Sequence, residues 1–395
     1  MAVVSAILIP AHIPLKGVIM AELIAGPAAR IARVRALMRE RDYDAMVIRD
    51  EANLRWLTGA EGVFDFTGEL PHAAFITHDA CYLHTDSRYF NSFQEHLPSD
   101  SPWALDMEVT SIPAWVAARA RDTKTHVVAI EDTMELSFYT ALTRSFEDNS
   151  YAYALPQMHG DLRRMRAIKD AEELELMRRA QAITDAAFTH MLGQIRPGRT
   201  EKELRLELEN FMYAHGADGL AFSSIVCSGP NTANPHAIPS DRVVEKGDFV
   251  LMDYGASYHD YCSDMTRTVC VGEPSAKQRE IYDLVRHTHE ECVKAIHAGV
   301  DGHDIHVLST KIIGDAGYGD YYGHSLGHGV GIEIHELPNF GRVSNIVEAG
   351  AVITVEPGVY LPGVGGVRLE DYGVVTKDGY EPFTTSTHEL QVIDC

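Results

Sequence analysis

Apolar residues recur at helical spacing between Pro27 and Arg41, where Ile31, Val34, Leu37 and Met38 share one face, and a short apolar run from Asp44 to Ile48 follows as a strand. The stretch from Asn53 to Gly59 reads as a short helical turn closed by glycine. Ala73 to Thr77, Cys81 to Thr85 and Val127 to Glu131 read as strands between polar turns. Helices and strands alternate in this way to about residue 155, the pattern of one α/β domain. All three tryptophans, Trp56, Trp103 and Trp115, lie inside it, and Trp56 is expected in the core. From Leu155 to Arg166 the pattern breaks at Pro156 and Gly160 and turns basic, which suits a linker.

Three helix starts follow, each with a side chain able to cap it. Asp170 with Glu173 opens a helix whose apolar face is Leu176, Ala180, Ile183, Ala187 and Met191, stopping at Pro197-Gly198. Thr200 with Glu203 opens a second, with Leu204, Leu208, Phe211 and Met212 inward. Ser275 with Gln278 opens a third, carrying Ile281, Leu284, Val285, Cys292 and Ile296. His190 and His215, near helix ends, are read as partners of the helix dipole or as surface groups.

The plan then repeats. Ile195-Arg-Pro-Gly198-Arg-Thr-Glu-Lys-Glu203-Leu204 matches Ile296-His-Ala-Gly299-Val-Asp-Gly-His-Asp304-Ile305 at an offset of 101. Gly247-Asp-Phe-Val-Leu-Met-Asp253-Tyr-Gly255 matches Gly350-Ala-Val-Ile-Thr-Val-Glu356-Pro-Gly358 at an offset of 103. Two related helix-plus-hairpin halves facing each other are therefore expected after the linker. The domain reading is an ill-defined extension over 1–20, an N-terminal domain over 21–158 and a catalytic domain over 159–395.

Composition narrows what such a chain can do. A length of 395 residues favours two domains, and no apolar run approaches the ~20 residues that span a bilayer. The formal charge of −23 would repel a phosphate backbone, and no basic patch exceeds Arg163-Arg164-Met-Arg166, so neither nucleic acid nor membrane is expected as a partner. Six cysteines without a Cys-x-x-Cys spacing read as reduced, mostly structural thiols, consistent with a cytoplasmic protein. The apolar stretch Val3 to Pro10 has no basic residue before it, which argues against a signal peptide and allows Met20 as the true start. Mass spectrometry of the native N-terminus decides that point.

Candidate chemistry sits at the matched strand ends. One hairpin carries Asp253 and Asp264, eleven apart, and the other Glu356 and Glu370, fourteen apart. If the halves pack about a pseudo-twofold axis, the four carboxylates converge, and their repulsion would be prohibitive without cations. Two divalent ions would remove that cost. The glycine-rich stretch Gly323-His324-Ser-Leu-Gly-His328-Gly-Val-Gly-Ile-Glu-Ile-His335-Glu336 adds three imidazoles, a donor type common in oxygen-rich sites for manganese, cobalt, iron or zinc. His236 stands seven residues after Gly229 as His335 stands seven after His328, so each half aims one histidine from a similar place.

These long motifs, with Thr-Val-Glu-Pro-Gly-Val-Tyr, Gly-Val-Arg-Leu-Glu-Asp and Ser-Asp-Met-Thr-Arg-Thr, resemble the metallopeptidases of the creatinase/aminopeptidase P/prolidase family, the M24 type. The resemblance is strong over the last ~230 residues and weaker through Asn53 to Gly59 and Asp86 to Tyr89. It implies an α+β pita-bread catalytic domain with an internal pseudo-twofold repeat, preceded by a smaller α/β creatinase-type domain that caps the site and forms a homodimer. It further implies Asp253, Asp264, His328, Glu356 and Glu370 as ligands of two divalent ions, Mn²⁺ first and Co²⁺, Zn²⁺ or Fe²⁺ as alternatives, with Asp264 and Glu370 bridging.

On the same resemblance, hydroxide held by the two ions attacks the bond before proline in a dipeptide or short peptide. Glu356 moves the water proton, and His335 or His236 bonds the oxyanion. His324 and Arg368 would bind substrate near the proline ring or product carboxylate, with Tyr360 as a hydrogen-bonding neighbour. Two other readings stay open: a metal-dependent lyase or hydrolase of a small charged metabolite on the same fold, and a non-catalytic binding protein. Peptide hydrolysis separates the first from a peptidase, and bound metal counts against the second.

Overall fold

The capping pairs form as their spacing predicts. Asp170, Thr200 and Ser275 each accept from the backbone three residues on, and Glu173, Glu203 and Gln278 each return a bond to the cap's own N–H, opening helices Ala171–Leu192, Glu201–Ala214 and Ala276–Ala295. Such a cap is worth ~1 kcal/mol. The computed structural model describes residues 26–64, 70–107, 110–148 and 150–394; the extension over 1–20 and most of the loop from Asp65 to Pro71 lie outside the described residues.

The N-terminal unit is a mixed sheet in the order Trp103–Asp106, Cys81–His84, Ala73–Thr77, Ala45–Ile48, Val128–Ile130. Helix Pro27–Glu40 buries Ile31, Val34, Leu37 and Met38 against it, and the short helix Glu51–Thr58 ends on Gly59 at φ 70°. Trp56 is fully buried. Its apolar cluster does not stop at a domain border, since Tyr261, Val330, Ile332 and Tyr372 belong to it as well.

The segment expected as a linker is ordered and packed. Ala154 and Gln157 bridge in parallel to Val127 and Ile130, widening the sheet, and Asp161–Ala167 is a helix with Arg166 buried. Its basic residues had suggested solvent, but Arg166 is spent on carboxylates of the second domain. A second correction concerns helix Ala171–Leu192, whose buried stripe is Met177, Ala180, Gln181, Thr184, Ala187, Phe188 and Met191. Leu176 and Ile183 are half-buried instead. Polar residues enter that stripe because they find partners: Thr184 Oγ1 lies 2.8 Å from Ser263 Oγ, and Asp185 accepts from the backbone of Thr385 and Ser386 at 3.0 and 2.9 Å.

The repeat is visible throughout the second domain. Helices Glu201–Ala214 and Gly302–Asp315 have 14 residues each and start 101 apart, after Gly198 at φ 95° and Gly299 at φ 91°. One half pairs Ile225–Ser228, Phe249–Tyr254 and Met265–Val271 in antiparallel order, and the other pairs Gly327–Gly329, Val352–Val355 and Asp371–Val375 in the same order. Each central hairpin contains a smaller one, Ala256–Tyr258 with Tyr261–Cys262 and Gly358–Leu361 with Gly365–Arg368. The internal repeat of the sequence thus appears in three dimensions as two matched sheets.

Candidate metal centre

Asp253 occupies the fifth position of strand Phe249–Tyr254, and Asp264 directly precedes strand Met265–Val271; in the other half Glu356 directly follows strand Val352–Val355 and Glu370 directly precedes Asp371–Val375. The halves meet where these strands start: Glu370 N–H donates to Thr266 O at 3.1 Å, and Thr268 Oγ1 donates to Arg368 O at 3.1 Å. Glycine permits the close approaches. A Cβ at Gly255 would lie 1.9 Å from Ser263 O, and one at Gly327 would lie 2.0 Å from Thr354 O, so side chains there would push Asp264 and His328 out of place.

Acceptors face acceptors at the centre. His328 Nδ1 lies 3.0 Å from the carbonyl of Gly329, which accepts only, so this nitrogen carries the proton and Nε2 presents its lone pair. That lone pair points at Asp264 Oδ2, 3.5 Å away, and Glu356 Oε1, 3.6 Å away. Donor atoms of Asp264, His328 and Glu370 all lie within 4.8 Å of one another. Asp253 Oδ1 is buried with no hydrogen-bond partner. Burial first, then the neighbouring carboxylates, holds Asp264 and Glu370 well above the usual carboxylate range, and burial raises Glu356 against the pull of Arg368. Burial also pushes the His328 imidazole down to about 4, leaving it neutral. An orphaned carboxylate oxygen, a free imidazole lone pair and three acids that resist ionisation together fit divalent cations.

A chain of hydrogen bonds leads outward from this cluster. Arg368 donates to Asp253 Oδ2 at 2.5 Å, Thr266 Oγ1 at 2.9 Å, Tyr360 Oη at 2.8 Å and Pro235 O at 3.3 Å. The guanidinium is buried, and its bond to Asp253 orients that carboxylate. Burial pushes the Tyr360 phenol up to about 12. His324 Nε2 lies 2.9 Å from Tyr360 Oη and its Nδ1 2.8 Å from Ser325 O, so both ring nitrogens have partners inside the protein.

His236 and His335 are exposed, and the His335 ring stands 4.4 Å from that of His328, edge to face. Burial lowers His335 and His324, and His236 is close enough to both to lower each further. A cleft of about 500 Å³ between the domains is lined by Leu220, Cys262, Ile332 and Ile334 on one side and Asp50 and Glu131 on the other.

Thr266 and Thr354 were not foreseen. Thr266 Oγ1 donates to Glu370 Oε2 at 2.6 Å while accepting from Arg368, and Thr354 accepts from His328 N–H at 3.0 Å. Thr266 stands two residues after Asp264, hence on the same strand face, and that alternation was the available signal. Glu336 was likewise passed over although it follows His335. Lys169 and Arg166 bond its two oxygens at 3.0 and 2.7 Å, and Arg166 reaches on to Asn53 Oδ1 at 2.7 Å in the N-terminal unit.

Residues 175–377 match metallopeptidase family M24, and residues 30–168 match the creatinase/prolidase N-terminal domain. The chain is 38% identical over 267 residues to the Xaa-Pro dipeptidase of Pyrococcus furiosus, covering 67% of this chain and 76% of that one. Among solved structures it resembles the Xaa-Pro dipeptidase of Bacillus anthracis, with a TM-score of 0.85, 36% identity and coverage of 93% and 100% of the two chains. It also resembles the X-Pro aminopeptidase of Thermotoga maritima, with a TM-score of 0.80, 33% identity and coverage of 90% and 99%. The chain belongs to metallopeptidase family M24, with the creatinase/prolidase domain at its N-terminal side.

Proposed function

We propose that this M24 metallopeptidase hydrolyses the bond between an N-terminal residue and proline in dipeptides or short peptides. The convergence of Asp264, Glu356 and Glu370 about a free imidazole lone pair, with the orphaned oxygen of Asp253 close by, carries the reading. Asp253, Asp264, His328, Glu356 and Glu370 would hold two divalent ions, and the oxygen-rich donor set with one imidazole favours Mn²⁺, with Co²⁺, Zn²⁺ or Fe²⁺ as substitutes. Ions of this kind supply a water acidified toward neutral pH and polarise a carbonyl.

The chain's own residues supply the rest. Glu356 accepts the proton of the attacking water and returns it to the departing proline nitrogen. His335 and His236, both exposed, donate hydrogen bonds to the oxyanion as the carbonyl carbon becomes tetrahedral. Arg368 keeps Asp253 oriented, with Tyr360 and His324 extending that support. The bond before proline has no N–H, so a site that reads the free amino end and the carbonyl loses nothing on it. Relatives named as dipeptidase and as aminopeptidase both support the reading. The buried thiols of Cys81, Cys227, Cys262 and Cys292 support work in a reducing compartment such as the cytoplasm.

The test is a hydrolysis panel of Ala-Pro, Gly-Pro and Ala-Pro-Ala after reconstitution with each metal. Cleavage of dipeptides alone means prolidase, and cleavage of the tripeptide means an aminopeptidase. No cleavage by metal-loaded protein overturns the peptidase reading.

A further inference from the structure

A second set of metal-type donors lies on the outer side of the strand that carries Glu370. Successive residues of a strand face opposite sides, so Glu370 turns toward the carboxylate cluster and Asp371 away from it. Asp371 there meets His289, from helix Ala276–Ala295, and His388, from the segment before strand Val392–Ile393. His388 Nε2 lies 2.8 Å and His289 Nε2 3.5 Å from the same oxygen, Asp371 Oδ2, and the two rings stand 4.7 Å apart. All three donor atoms lie within 4.8 Å of one another.

A plain histidine–carboxylate hydrogen bond accounts for His388 but not for His289, whose Nε2 is buried and has no hydrogen-bond partner. Burial pushes this imidazole down to about 4, so it is neutral and ligand-ready. Asp371 is pre-aimed. Arg267 Nη2 donates to its other oxygen at 2.7 Å, which fixes the carboxylate and leaves Oδ2 for the histidines. The third donor is fixed as well, because Arg267 donates to Ser386 O and Thr387 O at 2.8 and 3.0 Å and Tyr282 Oη to His388 O at 3.1 Å. The His388 side chain is 30% exposed against 3% and 4% for His289 and Asp371, so one coordination position opens to water.

We propose that His289, Asp371 and His388 bind a borderline divalent cation of the zinc type, at a site distinct from the carboxylate cluster. Two imidazoles, one carboxylate and an open fourth position are a recognised tetrahedral donor set for zinc. The ion bonds the C-terminal segment to the strand start that carries Glu370.

Anomalous diffraction from zinc-soaked crystals of the unmodified protein tests this directly. The expected peak lies about 2.0–2.1 Å from both Nε2 atoms. No peak there while the carboxylate cluster is loaded overturns the site. Zinc counting after equilibration gives the independent check: the unmodified protein should hold one ion per chain more than His388→Gln. Equal content overturns the site, and the crystal result stands even if the variant fails to fold.

Discussion

Glu336 and Glu370 are both carboxylates sealed in the interior, and they live in opposite electrostatic surroundings. Glu336 faces Arg166 and Lys169, and although burial alone would raise it, the two cations hold it down at about 2. Glu370 faces Asp264, Glu356 and Asp253 across the centre, with Arg368 and a neutral imidazole for company, and it is held well above the usual range. One cluster is complete with protein groups alone. The other is complete only with cations from outside. A buried acid whose partners are built in is structure, whereas buried acids that repel one another mark a site awaiting a ligand.

The strongest way to break this comparison is to remove one of the central acids. Asp264→Ala or Glu370→Ala should lose bound metal and more than ~100-fold in turnover, since even supporting residues of a metal site cost 10–100-fold. Retention of both ions by elemental analysis would contradict the bridging role. Arg166→Ala leaves Glu336 buried with half its compensation and should cost about 3–5 kcal/mol in chemical denaturation. Metal stoichiometry should stay unchanged in that variant, because the two clusters are separate. His335→Ala should keep its metal and lose ~100-fold in turnover. Equal turnover removes His335 from the chemistry. Lys169→Met, with Arg166 still in place, should cost less, about 1–3 kcal/mol.

Acidity separates the two clusters without mutation. Acids raised by folding bind protons more tightly in the folded state, so their contribution to stability is present at low pH and lost as pH rises through the folded pKa. The central acids of metal-free protein should therefore add thermal stability as pH is lowered toward the ordinary carboxylate range, and saturating metal should flatten that slope. Glu336 has the opposite sign. Its contribution is full above the ordinary glutamate value and is lost as pH falls toward about 2. A metal-free slope of the reverse sign near neutrality would contradict the assignment of the central acids.

Local chemistry made much of this legible before any coordinates. Asp170, Thr200 and Ser275 announce their helices because a cap and its return bond lie three residues apart, and the repeat announces two facing hairpins. What stayed hidden depends on partners far along the chain. Arg166 reads as a solvent-facing base until Glu336, 170 residues away, comes beside it. Thr184 and Asp185 look misplaced on an inner face until Ser263 and the backbone at Thr385 and Ser386 meet them. The bond from Arg368 to Asp253, 115 residues earlier, has no local signal either.

The central claim, that the four converging acids and His328 form a cation-dependent peptidase centre, is tested most directly by titrating metal-free protein with Mn²⁺ while following Ala-Pro hydrolysis. The account predicts no hydrolysis without metal and a rate that rises to a plateau as the ions fill the site. Undiminished hydrolysis by the metal-free protein, or none at any Mn²⁺ concentration, would contradict it.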